Sequence, residues 1–246
     1  MRVDKSGANL TSRVFDALRS QVLSGDLPPR QRLKVASLAT THGVSLNVIR
    51  EALNRLAGQG LVDVEPQFGF SVRGLSASDL EDLVAQRVLM ESIALRRCIE
   101  RSCADWQADV LAAHHRLRRT PMKRDDGLPG LNPQWLERHD DFHRVMLQSC
   151  GSPRLFLMIR QMAESAELYH RALLPVVERD AEMEAEHEEL LAAILAERAD
   201  DAVRVLVTHL EKTRDVMLPL LRGIEQGHRA DAVRPRTVQA AITTDG

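Results

Sequence analysis

The chain has 246 residues and a formal net charge of −2, with 44% hydrophobic and 28% charged residues. This balance is typical of a globular protein with enough apolar side chains for a core, and it excludes a collagen-like, fibrous or wholly disordered chain. The three cysteines, Cys98, Cys103 and Cys150, form no Cys-x-x-Cys pair. A disulfide scaffold and a cysteine zinc finger are therefore excluded, and a reducing compartment is indicated.

The sequence predicts a soluble protein without a membrane partner. The first twenty residues include the charged side chains of Arg2, Asp4, Lys5, Arg13, Asp16 and Arg19. They exclude the apolar segment of a signal peptide. No run approaches the length of about 18 uncharged apolar residues that a membrane-spanning helix needs. We therefore expect a cytoplasmic protein.

The small net charge hides a division between two parts of the chain. Residues 1–75 contain ten Lys and Arg against six Asp and Glu, a net charge of +4, and the remaining residues carry −6. A basic module on an acidic body is typical of a protein that binds a polyanion. Only three of the eight aromatic residues lie in the basic part, which disfavours stacking of single-stranded bases. Duplex DNA is the expected partner.

The basic part contains the elements of a winged helix-turn-helix in chain order. Apolar residues at helical spacing predict helices at about 10–24, 34–41 and 46–58. Alternating residues predict short strands at 61–64 and 70–72. A small α+β domain with no role in DNA binding is the alternative. The positive charge and the polar start of the third helix favour DNA.

The rest of the chain is helical in pattern after a linker at about residues 73–77. Helices are predicted at about 78–103, 105–119, 132–150, 153–174, 180–198 and 200–221. From Gly223 onward the sequence is polar and unpatterned, which predicts a disordered tail. We therefore expect a mostly α protein with a winged helix-turn-helix domain (1–75), an all-α bundle (76–222) and a tail (223–246).

Polar side chains stand at the start of the third predicted helix, which in a helix-turn-helix enters the major groove. Ser45 and Asn47 supply short hydrogen-bonding groups, and Arg50, one turn further on, can bind a guanine edge or a phosphate. The alternatives are that Ser45 is only a helix cap and that Arg50 pairs with a nearby acid.

Four histidines lie on the apolar faces of three predicted helices: His139, His143, His187 and His209. His139 and His143 are four residues apart and point the same way from one helix. Each buried imidazole needs a polar partner, so four of them in one bundle interior indicate a shared ligand. Neutral imidazoles suit a divalent ion of Zn, Ni, Fe or Mn. A metal-free bundle, whose histidines contact an effector or one another, is the alternative.

Spaced motifs in the chain resemble those of the GntR superfamily of bacterial transcription regulators. They are LSGDLPP at 23–29, LATTHGVS at 38–45, VIREAL at 48–53 and LAGQGLV at 56–62. The helical part resembles the ligand-sensing FCD domain of the FadR branch. The matching positions are Arg87 and Glu91, segment 141–147, turn 151–153, segment 186–191 and His209 with Leu210. The resemblance covers about residues 10–220.

The resemblance implies a homodimeric, effector-sensing transcription factor, most often a repressor, that binds a palindromic operator. Its DNA-binding residues would be Ser45, Leu46, Asn47, Arg50, Gln67 and Gly69. In the family the position of Leu46 is commonly an arginine that reads the operator. Leucine here predicts an altered operator, for which contact with a thymine methyl is one replacement. The wing tip around Phe68 is also less basic than is typical.

The resemblance also implies ligands for a metal and an effector. Metal-binding FCD domains use an aspartate one turn before the first of three histidines. His143, His187 and His209 match the histidines, whereas His139 occupies the aspartate position and Asp140 is a substitute ligand. An arginine at the position of Arg87 often binds an effector carboxylate through its planar fork, so a small carboxylic acid is the expected effector.

Other readings of Arg87 and of the whole protein remain open in the sequence. Arg87 can instead form an intrahelical pair with Glu91. A metal-dependent enzyme, with Glu186 or Asp141 as acid or base and the winged module for docking, is one rival function. An architectural DNA binder with helices that only dimerise is another. No spacing demands catalysis, so we predict a regulator and not an enzyme.

Overall fold

The computed structural model describes residues 5–124, 131–173 and 180–233. The N-terminal part contains α1 (Lys5–Ser24), β1 (Arg32–Leu33), α2 (Val35–His42), α3 (Leu46–Gly58), β2 (Val62–Glu65) and β3 (Gly69–Val72). The remainder contains α4 (Ala77–Glu100), α5 (Ala104–Arg118), α6 (Pro133–Leu147), α7 (Pro153–Leu173), α8 (Asp180–Leu195) and α9 (Ala199–Val233). The predicted mostly α fold class is confirmed. No described helix is long and apolar enough to cross a membrane.

Helix α3 begins where the sequence predicts it, because the Ser45 hydroxyl accepts a hydrogen bond from the Val48 N–H at 3.4 Å. This cap satisfies one of the free N–H groups of the first turn. The inner face of α3 is fully buried against α1 and consists of Ile49, Ala52, Leu53 and Leu56. The opposite face is therefore left at the surface of the domain.

The sheet has three antiparallel strands in the order β1-β3-β2, one strand more than the sequence predicts. Strand β1 pairs with β3 through Arg32 and Ser71, and β2 pairs with the same strand through Asp63 and Ser71. Two residues are too few to show an alternating pattern, so β1 carries no signal in the sequence. It exists because β3 offers it a free edge.

The helical bundle has its own core, in which the two tryptophans lie in different settings. Trp106 on α5 donates its indole N–H to the Val145 carbonyl on α6 at 3.2 Å, which fastens these two helices together. Trp135 lies at the start of α6 and stacks on the ring of His139. Helix α4 packs along α9 and brings its inner face to the same interior.

Helix α9 continues to Val233, so the disordered tail predicted from Gly223 is wrong for residues 223–233. The single glycine costs about 1 kcal/mol in a helix, which tertiary contacts can offset. The Glu225 carboxylate accepts a hydrogen bond from the Ala77 N–H at 2.9 Å and so satisfies a free donor at the start of α4. One turn earlier, Arg222 pairs with Glu81 at 2.7 Å. The rest of the predicted tail, 234–246, lies outside the described residues.

Helix α7 joins the two parts of the protein, because consecutive residues belong to both. Leu168 is buried in the core of the winged domain. Glu167 pairs with Arg19 of α1 at 2.7 Å, and the Tyr169 hydroxyl donates to the Asp79 carboxylate at 2.6 Å at the start of α4. The winged domain is therefore fixed against the side of the bundle through one helix.

Gly60 tests this junction, since it lies where the end of α3 meets α7. Its φ is +73°, and an added Cβ would lie 2.6 Å from the Ser165 Oγ. Gly60→Ala is expected to lower the free energy of unfolding in urea by about 1–2 kcal/mol through backbone strain, and by a further amount through the clash. Gly25→Ala is the matched control, because φ is +84° there and its Cβ would meet nothing within 4 Å.

The clash is separated from the strain by the double variant Gly60→Ala/Ser165→Ala, which removes the hydroxyl that the new methyl group would meet. We expect this variant to return to the stability of Gly25→Ala. Equal losses of unfolding free energy in Gly60→Ala and Gly25→Ala would show that Ser165 of α7 does not clash with a side chain at this turn.

Candidate metal and effector site

The structure brings the four sequence-predicted histidines together in the bundle interior. His139 and His143 come from α6, His187 from α8 and His209 from α9, and all four are buried. Each can place one ring nitrogen within 4.8 Å of the others. Three helices therefore place four nitrogens that can ligate a metal close to one another.

The cluster leaves several buried nitrogen atoms without protein partners. Among the described residues, Nε2 of His139 and both ring nitrogens of His143 have no hydrogen-bond partner. Burial and the neighbouring imidazoles hold the pKa of His139 and His143 well below the usual range, so both rings are neutral. Neutral imidazoles with free lone pairs fit a divalent ion of the Zn, Ni, Fe or Mn class.

Glu186 contacts the cluster through His209. Its carboxylate lies 2.9 Å from Nδ1 of His209 and also accepts a hydrogen bond from Lys212 at 3.1 Å. A carboxylate at Nδ1 favours the tautomer protonated there, which leaves Nε2 of His209 as the lone-pair atom. This carboxylate–histidine pairing is common behind metal ligands, where it fixes the orientation of the ring.

The sequence analysis missed this role of Glu186, because the acidic run around it has the pattern of an exposed helix face. Glu186 is only 8% exposed. Glu186 lies three residues after Met183 and four before Leu190, which places it on the apolar face of α8. This spacing predicts that the side chain is buried. Its partner on α9 is more than twenty positions away along the chain and could not be inferred from spacing.

The two aspartates beside the histidines form ion pairs with arginines. Asp140, predicted as the substitute ligand, accepts hydrogen bonds from Arg160 through both oxygens, at 3.0 and 2.9 Å. Asp141 pairs with Arg144 and Arg116. Neither aspartate belongs to the group whose ligand atoms converge. The convergent set therefore consists of imidazoles alone.

Arg87 lies beside the cluster but is already paired. Its Nε donates to the Glu91 carboxylate at 2.6 Å, and both side chains are almost completely buried. The sequence alternative of an Arg87–Glu91 pair is therefore present, in the interior and not on an exposed face. The two cavities that Arg87 lines measure about 20 and 30 Å³, room for one or two water molecules. A carboxylate reaches Arg87 only after a rearrangement of side chains.

Two further histidines, which the sequence analysis did not assign to the site, adjoin it. His170 on α7 faces His139, with ring centroids 5.8 Å apart, and burial together with the Arg87 charge lowers its pKa to about 3. His114 on α5 is buried and packs edge-on against Phe142. His114 lies on the same face of α5 as Val110, Ala113 and Leu117. This apolar face predicts that His114 is buried.

The predicted DNA-binding residues lie on the surface of the winged domain. Leu46, Asn47 and Arg50 are exposed on α3, and Ser45 is exposed while it caps the helix. Among the described residues Arg50 forms no ion pair, so its guanidinium is available to a ligand. Gln67 and Gly69 are exposed at the wing tip on either side of Phe68, whose ring lies 5.3 Å from the Arg32 guanidinium.

The comparisons with known proteins agree with both parts of this architecture. The family described as bacterial regulatory proteins, gntR family, matches residues 10–72, and the FCD domain matches residues 82–212. The uncharacterized HTH-type transcriptional regulator BphR of Paraburkholderia xenovorans (strain LB400) is 30% identical over 85% of each chain. The HTH-type transcriptional repressor GlaR of Escherichia coli (strain K12) is 29% identical over 78% of this chain and 89% of GlaR.

Solved structures show the same fold. Escherichia coli McbR/YncC superposes with a TM-score of 0.69 at 23% identity, covering 86% of this chain and 98% of McbR. A GntR regulator from Rhodococcus sp. RHA1 gives 0.69 at 22% identity, over 85% and 97% of the two chains. Matched families and relatives are regulators and not enzymes. The chain therefore belongs to the GntR family and is a DNA-binding transcriptional regulator with a C-terminal FCD domain.

Proposed function

We propose that the protein is a homodimeric repressor that responds to a small carboxylic acid through a divalent metal ion in its FCD domain. The convergence of four buried imidazoles carries the proposal, together with the nitrogens of His139 and His143 that have no hydrogen-bond partner among the described residues. His139, His143, His187 and His209 would hold the ion, and Glu186 would orient His209. Four protein ligands close a tetrahedral site, so an ion that takes five or six ligands would be the one with a position left for an effector oxygen. The repressor name of GlaR supports repression.

Regulation requires that the effector favours one arrangement of the two domains. A tenfold change in DNA affinity corresponds to about 1.4 kcal/mol of coupling between the two sites. Helix α7 is the direct connection: His170 borders the Arg87 cavities, while Leu168 is buried in the core of the winged domain and Glu167 pairs with Arg19 of α1. A shift of α7 on effector binding would therefore change the spacing of the two DNA-binding modules in a dimer.

On DNA, the N-terminal turn of α3 would read the major groove and the wing would contact the flanking backbone. Arg50 is the charged side chain offered there. Leu46, 46% exposed, presents an apolar surface that suits a thymine methyl. A two-fold dimer would bind a palindromic site with half-sites spaced by its two recognition helices.

Metal content gives the first test. The purified, never-chelated protein is expected to carry a single divalent ion per chain, and His143→Ala is expected to lose it because one of the four converging ligand nitrogens disappears. His115→Ala, an exposed position on α5, is the matched control and should keep the ion. Glu186→Gln should weaken metal binding by about 10–100-fold, as for other groups behind metal ligands. Elemental analysis that finds no ion even after loading would sink the metal proposal.

DNA binding gives the second test, with duplexes selected by the wild-type protein from a random pool. Arg50→Ala is expected to weaken binding by about tenfold or more, since a good contact to a base or phosphate contributes about 1–3 kcal/mol. Arg204→Ala removes the same charge from the exposed face of α9 and should leave the affinity unchanged. Equal weakening in both variants would point to general electrostatics and not to α3.

The buried pair on α4 gives the third test. Arg87→Met leaves the Glu91 carboxylate buried and unpaired, so we expect a loss of about 3–5 kcal/mol in the free energy of unfolding. Arg87→Met/Glu91→Leu should recover most of that loss. Arg96→Ala, which breaks an exposed pair with Asp200, should cost less than about 1 kcal/mol. A mild effect of Arg87→Met in denaturant titration would contradict the structural role.

A further inference from the structure

The tip of the wing carries an aromatic ring that the rest of the described chain leaves exposed. Phe68 is 62% exposed, the largest value among the large hydrophobic side chains that the structure describes. It lies between β2 and β3, and Pro66 and Gln67 precede it in the hairpin turn. Aromatic side chains usually contribute their large apolar area to a core or an interface. Reading of the major groove by α3 leaves this ring without a role.

The turn restricts the direction of the ring. Glu65 and Gly69 form the last pair of the hairpin, and the Phe68 N–H donates to the Glu65 carbonyl at 3.1 Å. Pro66 and Gln67 occupy the two central positions, and the φ of +68° at Gln67 is that of a type II turn. Proline is favoured at the first central position because its ring presets the backbone. Burying the Phe68 ring against a ligand therefore costs little conformational entropy.

The two edges of the wing sheet differ in charge. Three exposed basic side chains lie in and beside β1, and none of them forms an ion pair within the described chain: Arg30, Arg32 and Lys34. The opposite edge, β2, carries the acidic side chains of Asp63 and Glu65. The Arg32 guanidinium lies 5.3 Å from the centre of the Phe68 ring, so the ring belongs to the basic edge. A polyanion is attracted to this edge and repelled by the other.

The apolar surface at the tip is too small for a protein partner. Val64, 53% exposed, is the other exposed large hydrophobic residue of the hairpin. A stable protein interface buries about 800 Å² on each side, which one ring and one valine cannot supply. A single apolar side chain is enough, by contrast, to insert between two base pairs of DNA.

The position of the wing beside α3 brings its tip to the minor groove. Strand β2 follows α3 in the chain and packs against it. When α3 lies in the major groove, the element beside it reaches across one backbone to the adjacent minor groove. That groove is about 6 Å wide and accepts single side chains, where the wider major groove accepts a helix. Apolar side chains inserted there unstack a base step and bend the duplex by about 20–90°.

We propose that Phe68 is an apolar wedge that enters a base step of the minor groove next to the α3 contact and bends the DNA. The β1 edge lies along the flanking backbone, where Arg32 binds a phosphate while it stays against the ring. Pyrimidine–purine steps unstack most easily, so the wedge selects such a step without hydrogen bonds to its bases. The inference rests on DNA binding by the winged domain and does not depend on the metal or the effector.

Bending of a bound duplex tests the wedge directly. The probe is the tightest duplex that the full-length wild-type protein selects from a random pool, with donor and acceptor dyes at its two ends. Wild-type protein should increase energy transfer, whereas Phe68→Ala should lose most of the bend and bind about tenfold more weakly. Phe68→Leu keeps an apolar wedge and should restore most of the bend. Val64→Ala, at the other exposed apolar position of the hairpin, is the matched control and should bend the duplex as the wild type does.

The unstacked step is located with 2-aminopurine, an adenine analogue whose fluorescence rises when it leaves the base stack. It replaces each adenine of the selected duplex in turn. With wild-type protein the fluorescence should rise at one step of each half-site, and with Phe68→Ala at none of these steps. Because Phe68 is exposed, Phe68→Ala should keep the melting temperature of the free protein, which separates the wedge from a role in folding.

Salt dependence tests the phosphate contact of Arg32. Arg32→Gln should reduce the slope of log affinity against log salt concentration by about one, because one phosphate contact is lost. It should keep part of the bend, since the ring remains. Arg204→Gln removes the same charge from the exposed face of α9 and should leave both the slope and the bend unchanged.

Either of two results would overturn the wedge. In the first, wild-type protein binds its selected duplex without a bend and without a rise in 2-aminopurine fluorescence. In the second, Phe68→Ala bends the duplex and raises the fluorescence as the wild type does. The measurements are made on metal-free and metal-loaded protein alike. A bend that is lost in Phe68→Ala in either form supports the wedge, whatever elemental analysis finds at the histidine cluster.

Discussion

Burial of four imidazoles in an otherwise apolar bundle is the constraint on which the helical domain depends. An unpartnered polar nitrogen in a low-dielectric core is unfavourable, so the fold must supply partners or bind something that does. Glu186 pairs with one ring nitrogen of His209, while His139 and His143 keep nitrogens with no partner among the residues that the structure describes. An interior of this kind is better explained by a ligand than by stability alone.

The same interior is connected to the DNA-binding surface by a short physical path. Helix α7 borders the Arg87 cavities with His170 and enters the core of the winged domain with Leu168. Between them, Tyr169 ties the helix to Asp79 at the start of α4. Because packed side chains change arrangement in discrete steps, a small displacement at the site can become a change in domain position. This arrangement suits a protein in which ligand binding at an interior site changes a distant surface.

Periodicity predicted most helices to within a few residues because each has an apolar stripe that must face a core. It placed His139, His143, His187 and His209 on inner faces for the same reason. It failed where a polar residue shares such a stripe: Glu186 and His114 look like surface residues by type, although their neighbours at helical spacing are apolar. It also failed beyond Gly223, where Glu225 caps α4 and a distant contact outweighs composition.

The sequence by itself determined the order of elements, the basic winged module, the family resemblance and the four imidazoles, because these follow from residue type and local spacing. The tertiary structure alone decided what each polar group meets. It turned Asp140 toward Arg160, paired Arg87 with Glu91 in the interior, and left little room beside Arg87. Partners and cavities depend on how separate helices pack, and no local pattern encodes that packing.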